Sequence, residues 1–169
     1  MYFCEYAGLM SPVPEGPSRA VPGMNVAYDM HQLASVRSIF LQAQWENVIH
    51  DQLREAGFEI GLDPSIVVNH CKHFTIAMFW SERFHYSRAY AGQRVAGASL
   101  GTRMSWAVKA LGLPPLVMMR IVRATVTKRR HVRQLARALH LVLMFSVVWS
   151  VGELVGYLAG PGNSLVKIR

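Results

Sequence analysis

The feature that most limits this chain is a run of 22 residues near its end, 138–159 (ALHLVLMFSVVWSVGELVGYLA), with one acid, Glu153, and one histidine, His140. About 20 mainly apolar residues suffice to cross a bilayer as a helix. Directly before the run stand Lys128, Arg129, Arg130, Arg133 and Arg137, with no acid among them. By the positive-inside rule that block stays on the cytoplasmic face, and the tail from Gly160 to Arg169 lies beyond the membrane. Anionic lipid headgroups would hold the block at ~1 kcal/mol per basic side chain. The competing reading is a buried helical hairpin in a soluble protein.

Charge is divided as sharply as hydropathy. The chain of 169 residues carries 18 Lys/Arg and 10 Asp/Glu. Residues 1–100 hold seven of the basic residues and nine of the acids, whereas residues 101–169 hold eleven basic residues and only Glu153. A near-neutral, globular-looking half is therefore joined to a basic, apolar half. Hydrophobic residues make up 51% of the chain, which excludes disorder. Cys4 and Cys71 are too few for a disulfide scaffold. The opening MYFCEYAGLM has no basic stretch before an apolar run and does not read as a signal peptide. Basic residues alone would also suit nucleic acid, but no stacking motif or zinc knuckle accompanies them, and none is expected as a partner.

Residues 8–23 contain four prolines and three glycines and read as a loop. Residues 25–28 (NVAY) suit a short strand. Helical spacing of apolar residues predicts helices over 31–41 and 44–56, the second stopped by Gly57. Ile66-Val67-Val68 reads as a buried strand, and an aromatic-rich helix is expected from about Thr75 to Ala96. Residues 104–126 are apolar but interrupted by Lys109, Arg120 and Arg123, with Pro114-Pro115 expected to break the helix. They suit an interfacial or re-entrant segment.

Three stretches carry a resemblance: CEYAGLMSPVPEGPSRAVPGMNVAYD, QWENVIHDQLREAGFEIGLDPSIVVNH and ERFHYSRAYAGQR. In order and spacing they resemble the carboxy-terminal part of a bacterial, membrane-associated family 2 glycosyltransferase with the GT-A fold. The corresponding landmarks are a Gly-x-Asn loop (Gly23-Met24-Asn25), a usually acidic pair on a helix (Trp45-Glu46), and a strand ending in histidine (Val67-Val68-Asn69-His70). They continue with a helix like Gln-Arg-Phe-Arg-Tyr-Gly (Glu82-Arg83-Phe84-His85-Tyr86-Ser87) and a Trp-x-x-Gly-Glu-x-x-Gly-Tyr ending (Trp149 to Tyr157). The family's nucleotide-binding βαβ half, with its Asp-x-Asp motif, has no counterpart here. Trp45, Glu82 and His85 also depart from the family pattern.

The resemblance implies an α/β fragment followed by membrane-associated helices, predominantly helical overall. Its segments would be the acceptor-side end of a GT-A domain (1–72), an amphipathic aromatic-rich helix (73–97), an interfacial or re-entrant basic segment (98–134), and a transmembrane helix with its tail (135–169). It also implies transfer of a sugar from a nucleotide-sugar donor to a lipid or glycan acceptor at the inner membrane, with the globular part cytoplasmic. Glu46 would take the proton from the acceptor hydroxyl, a role typically worth 10²–10⁴-fold; the alternative is an ordinary solvated helix residue. Gly23, Asn25, Trp45, Arg83, His85 and Tyr86 would contact substrate, or else serve as turn and packing residues. His70 would contact the metal or diphosphate, or act as a structural hydrogen-bonder. A divalent metal, Mg²⁺ or Mn²⁺, would offset leaving-group charge in the full-length enzyme. None is expected for this chain alone. The rival reading is a non-catalytic membrane protein serving as an anchor or partner-binding module.

Overall fold

The computed structural model describes residues 2–18, 21, 25–37, 46–68, 71, 73 and 75–168, and the side chains of all of these except 46–48. Its described elements are α1 (Tyr2–Tyr6), β1 (Gly16–Pro17), α2 (Met30–Ser35), α3 (Glu46–Glu55), β2 (Gly61–Leu62), α4 (Ile76–Arg94), α5 (Leu100–Leu111), α6 (Leu113–Thr127), α7 (Val132–Ala159) and a closing 3₁₀ turn (Ser164–Lys167). The protein is predominantly helical. Two compact units are present, one formed by residues 1–8 with 72–169 and the other by residues 9–71.

In the larger unit, α7 is the central element. Its 28 residues are long and apolar enough to cross a membrane, judged by length and composition. It extends six residues before the apolar run, because Arg133, Gln134 and Arg137 favour helix as well as Leu does. Helix α4 starts at Thr75, whose hydroxyl accepts from the Met78 amide at 3.1 Å. Phe79 meets Phe145 edge-on with ring centroids 4.6 Å apart. Further along, Ser87 lies opposite Gly152, Ala91 opposite Gly156, and Gly92 opposite Pro161. Indices rise together on both helices, so α4 runs parallel to the later two-thirds of α7.

Helices α5 and α6 form the other leg of a hairpin with α7. Ser99 caps α5 by accepting from the Thr102 amide. Arg103 binds the carbonyls of Tyr157 and Leu158, and the Ser150 hydroxyl donates to the Ala110 carbonyl at 2.7 Å, so α5 runs antiparallel to α7. The leg bends by 52° between α5 and α6. The break falls at Gly112 rather than at Pro114-Pro115. Proline in the first turn of a new helix gives up only an amide that has no intrahelical partner, so Pro114 starts α6 instead of ending a helix. A buried cluster of Ala91, Val95, Ala107, Ala110 and Tyr157 joins α4, α5 and α7.

From Leu141 to Ala159, the exposed residues of α7 are Leu143, Val147, Val151, Leu158 and Ala159, all aliphatic. Ser146, Ser150, Gly152, Glu153 and Gly156 are buried there among the apolar Val142, Phe145, Val148 and Tyr157.

The smaller unit packs α2 on α3 through Leu33, Val36, Ile49 and Leu53, with Tyr28, Phe58 and Ile60 at the edge. Asp29 caps α2, accepting from His31 and Gln32. Its only described sheet is an antiparallel pair in which Gly16 faces Leu62 and Pro17 faces Gly61. The two strands expected from sequence are not strands. Residues 25–28 are irregular, and Ile66, Val67 and Val68 are exposed, at 59%, 76% and 55%. Their β-branched side chains fit a strand but have no described neighbouring strand to pair with.

Candidate functional site

Of the residues singled out by the motifs, Gly23, Trp45 and His70 lie outside the described residues. Glu46 opens α3, but its side chain is outside them as well. Asn25 is half-buried in the smaller unit, at an open cleft of about 380 Å³ shared with Tyr28, Asp29 and Asp63. The Asp63 carboxyl is held below the usual carboxylate range by hydrogen bonds from the Ser65 hydroxyl and amide. Nearby, the Tyr28 hydroxyl is 2.8 Å from Nε2 of the buried His50. Among the described residues no group of three His, Cys, Asp or Glu is placed to hold a metal ion.

Arg83, His85 and Tyr86 all lie on α4, yet they do different things. Arg83 lies over two rings, 5.0 Å from the Phe79 centroid and 4.9 Å from that of Trp149. Tyr86 packs against the same indole at 5.8 Å. His85 is turned to the 3₁₀ segment, its Nδ1 3.2 Å from the Ser164 hydroxyl. Burial, and then the charges of Lys167 and Arg88, push the His85 imidazole below its ordinary value. Arg83 and Tyr86 are therefore brought together at Trp149, and His85 is not.

Arg83 begins a cleft of about 370 Å³ within the larger unit. Four basic side chains line it: Arg83 and Arg94 from α4, Lys109 from α5 and Arg120 from α6. Arg94 lies 3.9 Å from the centroid of Trp106, and Lys109 lies 4.6 Å from it. Trp106 in turn stacks on Tyr157. Cation–aromatic contacts of this kind contribute ~0.5–2 kcal/mol each. The one acid lining the cleft is Glu153. Its two oxygens accept from Trp149 Nε1 at 2.7 Å and from the Tyr157 hydroxyl at 2.9 Å. None of the four cations has a carboxylate within ion-pair distance among the described residues. Cys4, also on the cleft wall, has its thiol pushed up mainly by burial, so it stays protonated and unreactive at neutral pH.

Sequence reasoning singled out Arg83 but missed Arg94, Trp106, Lys109 and Arg120. The signal was present as spacing. Arg83, Tyr90 and Arg94 recur at helical intervals on one face of α4, and Trp106 and Lys109 do so on α5. That three such faces converge is a property of packing and cannot be read from any one segment. Comparison of the chain with protein-family models, with curated proteins and with solved structures gives no match.

Proposed function

We propose that this chain is the acceptor-side and membrane-anchoring portion of a glycosyltransferase similar to bacterial family 2. In this reading it is the end of a GT-A domain attached to membrane helices. The whole enzyme would move a sugar from a nucleotide donor to a lipid or glycan acceptor at the cytoplasmic face. The observation that carries the membrane part is the exposed surface of α7 over 141–159, which is aliphatic throughout. A surface helix of a soluble protein turns charged and polar residues outward. The catalytic part is supported by the order of the sequence motifs and by the placement of the helix bearing Glu82 to Ser87 directly against α7. Glu46 would deprotonate the acceptor hydroxyl, and the divalent metal and nucleotide would be held by the βαβ half that this chain does not contain.

Substitution Glu46→Gln in the natural membrane-bound enzyme tests this, with transfer from labelled nucleotide sugar as the readout. Transfer should be lost by at least the ~10²-fold typical of base catalysis while membrane-bound protein is unchanged. Retained turnover overturns the assignment. The second reading, a non-catalytic membrane module, draws on the engagement of His85 with Ser164 and of Tyr86 with Trp149. It predicts no binding of uridine or guanosine diphosphate even with Mg²⁺ or Mn²⁺ present.

A further inference from the structure

We infer that the basic–aromatic cleft of the larger unit binds the phosphate group of a lipid. The inference uses the membrane part of the reading above and does not depend on sugar transfer.

Three features on the cleft wall carry it. First, Arg83, Arg94, Lys109 and Arg120 converge there against one acid among the described residues, Glu153, whose oxygens are taken up by Trp149 and Tyr157. Four positive charges against one carboxylate leave the cleft net positive, and an anion relieves the remaining repulsion. Arginine and lysine donors match phosphate oxygens, arginine in a fork. Second, the cavity of about 370 Å³ is far larger than a phosphate needs, and its remaining wall includes Leu113, Val117 and Phe145. A free anion would leave that apolar wall wet, whereas the glycerol and first methylenes of a lipid would cover it. Third, the wall belongs to α5, α6 and α7, whose outer faces expose Met104, Val108, Val122, Leu143 and Val147. A ligand carried by the bilayer would reach the cleft from that same surface. A phosphate monoester suits the site better than a zwitterionic headgroup, because the choline or ethanolamine cation would meet four positive side chains.

The test titrates detergent-solubilised protein with short-chain phosphatidic acid, following tryptophan fluorescence, since Trp106 and Trp149 line the cleft. Short-chain phosphatidylserine and inorganic phosphate are titrated in parallel. The variant is Lys109→Gln with Arg120→Gln, both exposed positions whose loss leaves no buried gap. Phosphatidic acid should bind saturably and more tightly than phosphatidylserine, and inorganic phosphate should not displace it. The double variant should bind about 25-fold more weakly, about fivefold for each basic side chain. Arg133→Gln with Arg137→Gln, basic positions outside the cleft, should leave affinity unchanged. If the double variant changes the far-UV spectrum, Lys109→Arg with Arg120→Lys, which retains both charges, must bind like the parent. Equal affinity for the two lipids, full displacement by inorganic phosphate, or an unaffected double variant each overturns the inference. No sugar transfer enters the readout, so this result and the Glu46 result stand or fall separately.

Discussion

Substitution Gly156→Ala tests how α4 and α7 are held together. A Cβ at this position would sit 2.5 Å from the Arg88 carbonyl oxygen, 2.8 Å from Ala91 Cβ and 3.0 Å from the Gly92 nitrogen. All three atoms are rigid parts of α4, so no flexible side chain can swing aside. Ordinary contact begins at 3.4 Å. The helices must therefore part by about 0.9 Å, and a gap of that order forfeits a quarter to a half of the dispersion well for each facing pair. The lost contacts fall on Ala91 and Tyr157, which are 0% and 1% exposed. Overfilling of this kind costs ~1–3 kcal/mol. Helix propensity returns up to ~1 kcal/mol on replacing glycine by alanine. With a backbone carbonyl oxygen only 2.5 Å away the cost falls at the upper end, ~2–3 kcal/mol, so the net loss should be ~1–2 kcal/mol, a fall in Tm of roughly 2–8 °C for a chain of this size. The assay is a far-UV melt in detergent, with Gly101→Ala as control. A Cβ at Gly101 meets nothing within 4 Å, so that variant should melt at or slightly above the parent. If Gly156→Ala also melts at or above the parent, the close approach of α4 and α7 is refuted.

Arg103→Gln should destabilise the larger unit by ~1.5–3 kcal/mol, read by the same melt, because Arg103 holds the Tyr157 and Leu158 carbonyls at 2.8 and 2.7 Å at the end of α7; an unchanged Tm would contradict that role. Glu153→Ala removes the acceptor of both Trp149 Nε1 and the Tyr157 hydroxyl, at a cost of ~1–3 kcal/mol for each donor left without it. Tryptophan emission should shift in that variant, and an unaltered spectrum with unaltered Tm would argue against the network. His85 should titrate below its ordinary value of 6.5 in a histidine NMR titration. Its folded value is depressed, so the unfolded chain takes up the proton first. Its contribution to stability is thus complete above about pH 6.5 and is lost as pH falls through the folded value. A midpoint at or above 6.5 would refute the burial and the charge of Lys167 and Arg88 as causes.

Long elements were legible in the sequence because their signals are local. The apolar run 138–159 marked α7, and the aromatic-rich stretch from Thr75 marked α4, which spans Ile76–Arg94. What failed was what depends on partners. Ile66-Val67-Val68 has strand propensity, but propensity builds a strand only where another strand offers amides and carbonyls, and the described pairing lies at Gly16–Pro17 and Gly61–Leu62. Pro114 stops a helix that is already under way yet suits the start of a new one, and Gly112 two residues earlier decided between the two. Of the site, Arg83 was visible through its motif. Arg94 shares α4 with Arg83, but Lys109 and Arg120 come from helices separated by turns, and their convergence follows from the bend at Gly112 and the hairpin, neither of which a spacing rule encodes.

The two surfaces of α7 differ in a way that bears on the membrane placement proposed above. Toward its neighbours the helix presents Ser146, Ser150, Gly152, Glu153 and Gly156 among the apolar Val142, Phe145, Val148 and Tyr157. Each polar group there is satisfied: Ser146 on the Val142 carbonyl, Ser150 on the Ala110 carbonyl, Glu153 by Trp149 and Tyr157. The two glycines allow the close approach of α4, as small residues do where helices pack without a hydrophobic driving force between them. Away from its neighbours it shows Leu139, His140, Leu143, Val147, Val151 and Leu158. The purely aliphatic part, from Leu143 to Ala159, rises about 24 Å at 1.5 Å per residue, within the ~30 Å hydrocarbon thickness of a bilayer. In water the aliphatic face would stay wet. In the membrane placement proposed above, lipid would cover it. In that placement Arg133 and Arg137 would face one headgroup layer, and Arg103, on the Tyr157 and Leu158 carbonyls, would lie toward the other. The same logic explains why α4, with Glu82, Arg83, His85 and Arg88, sits against the small-residue face rather than the aliphatic one.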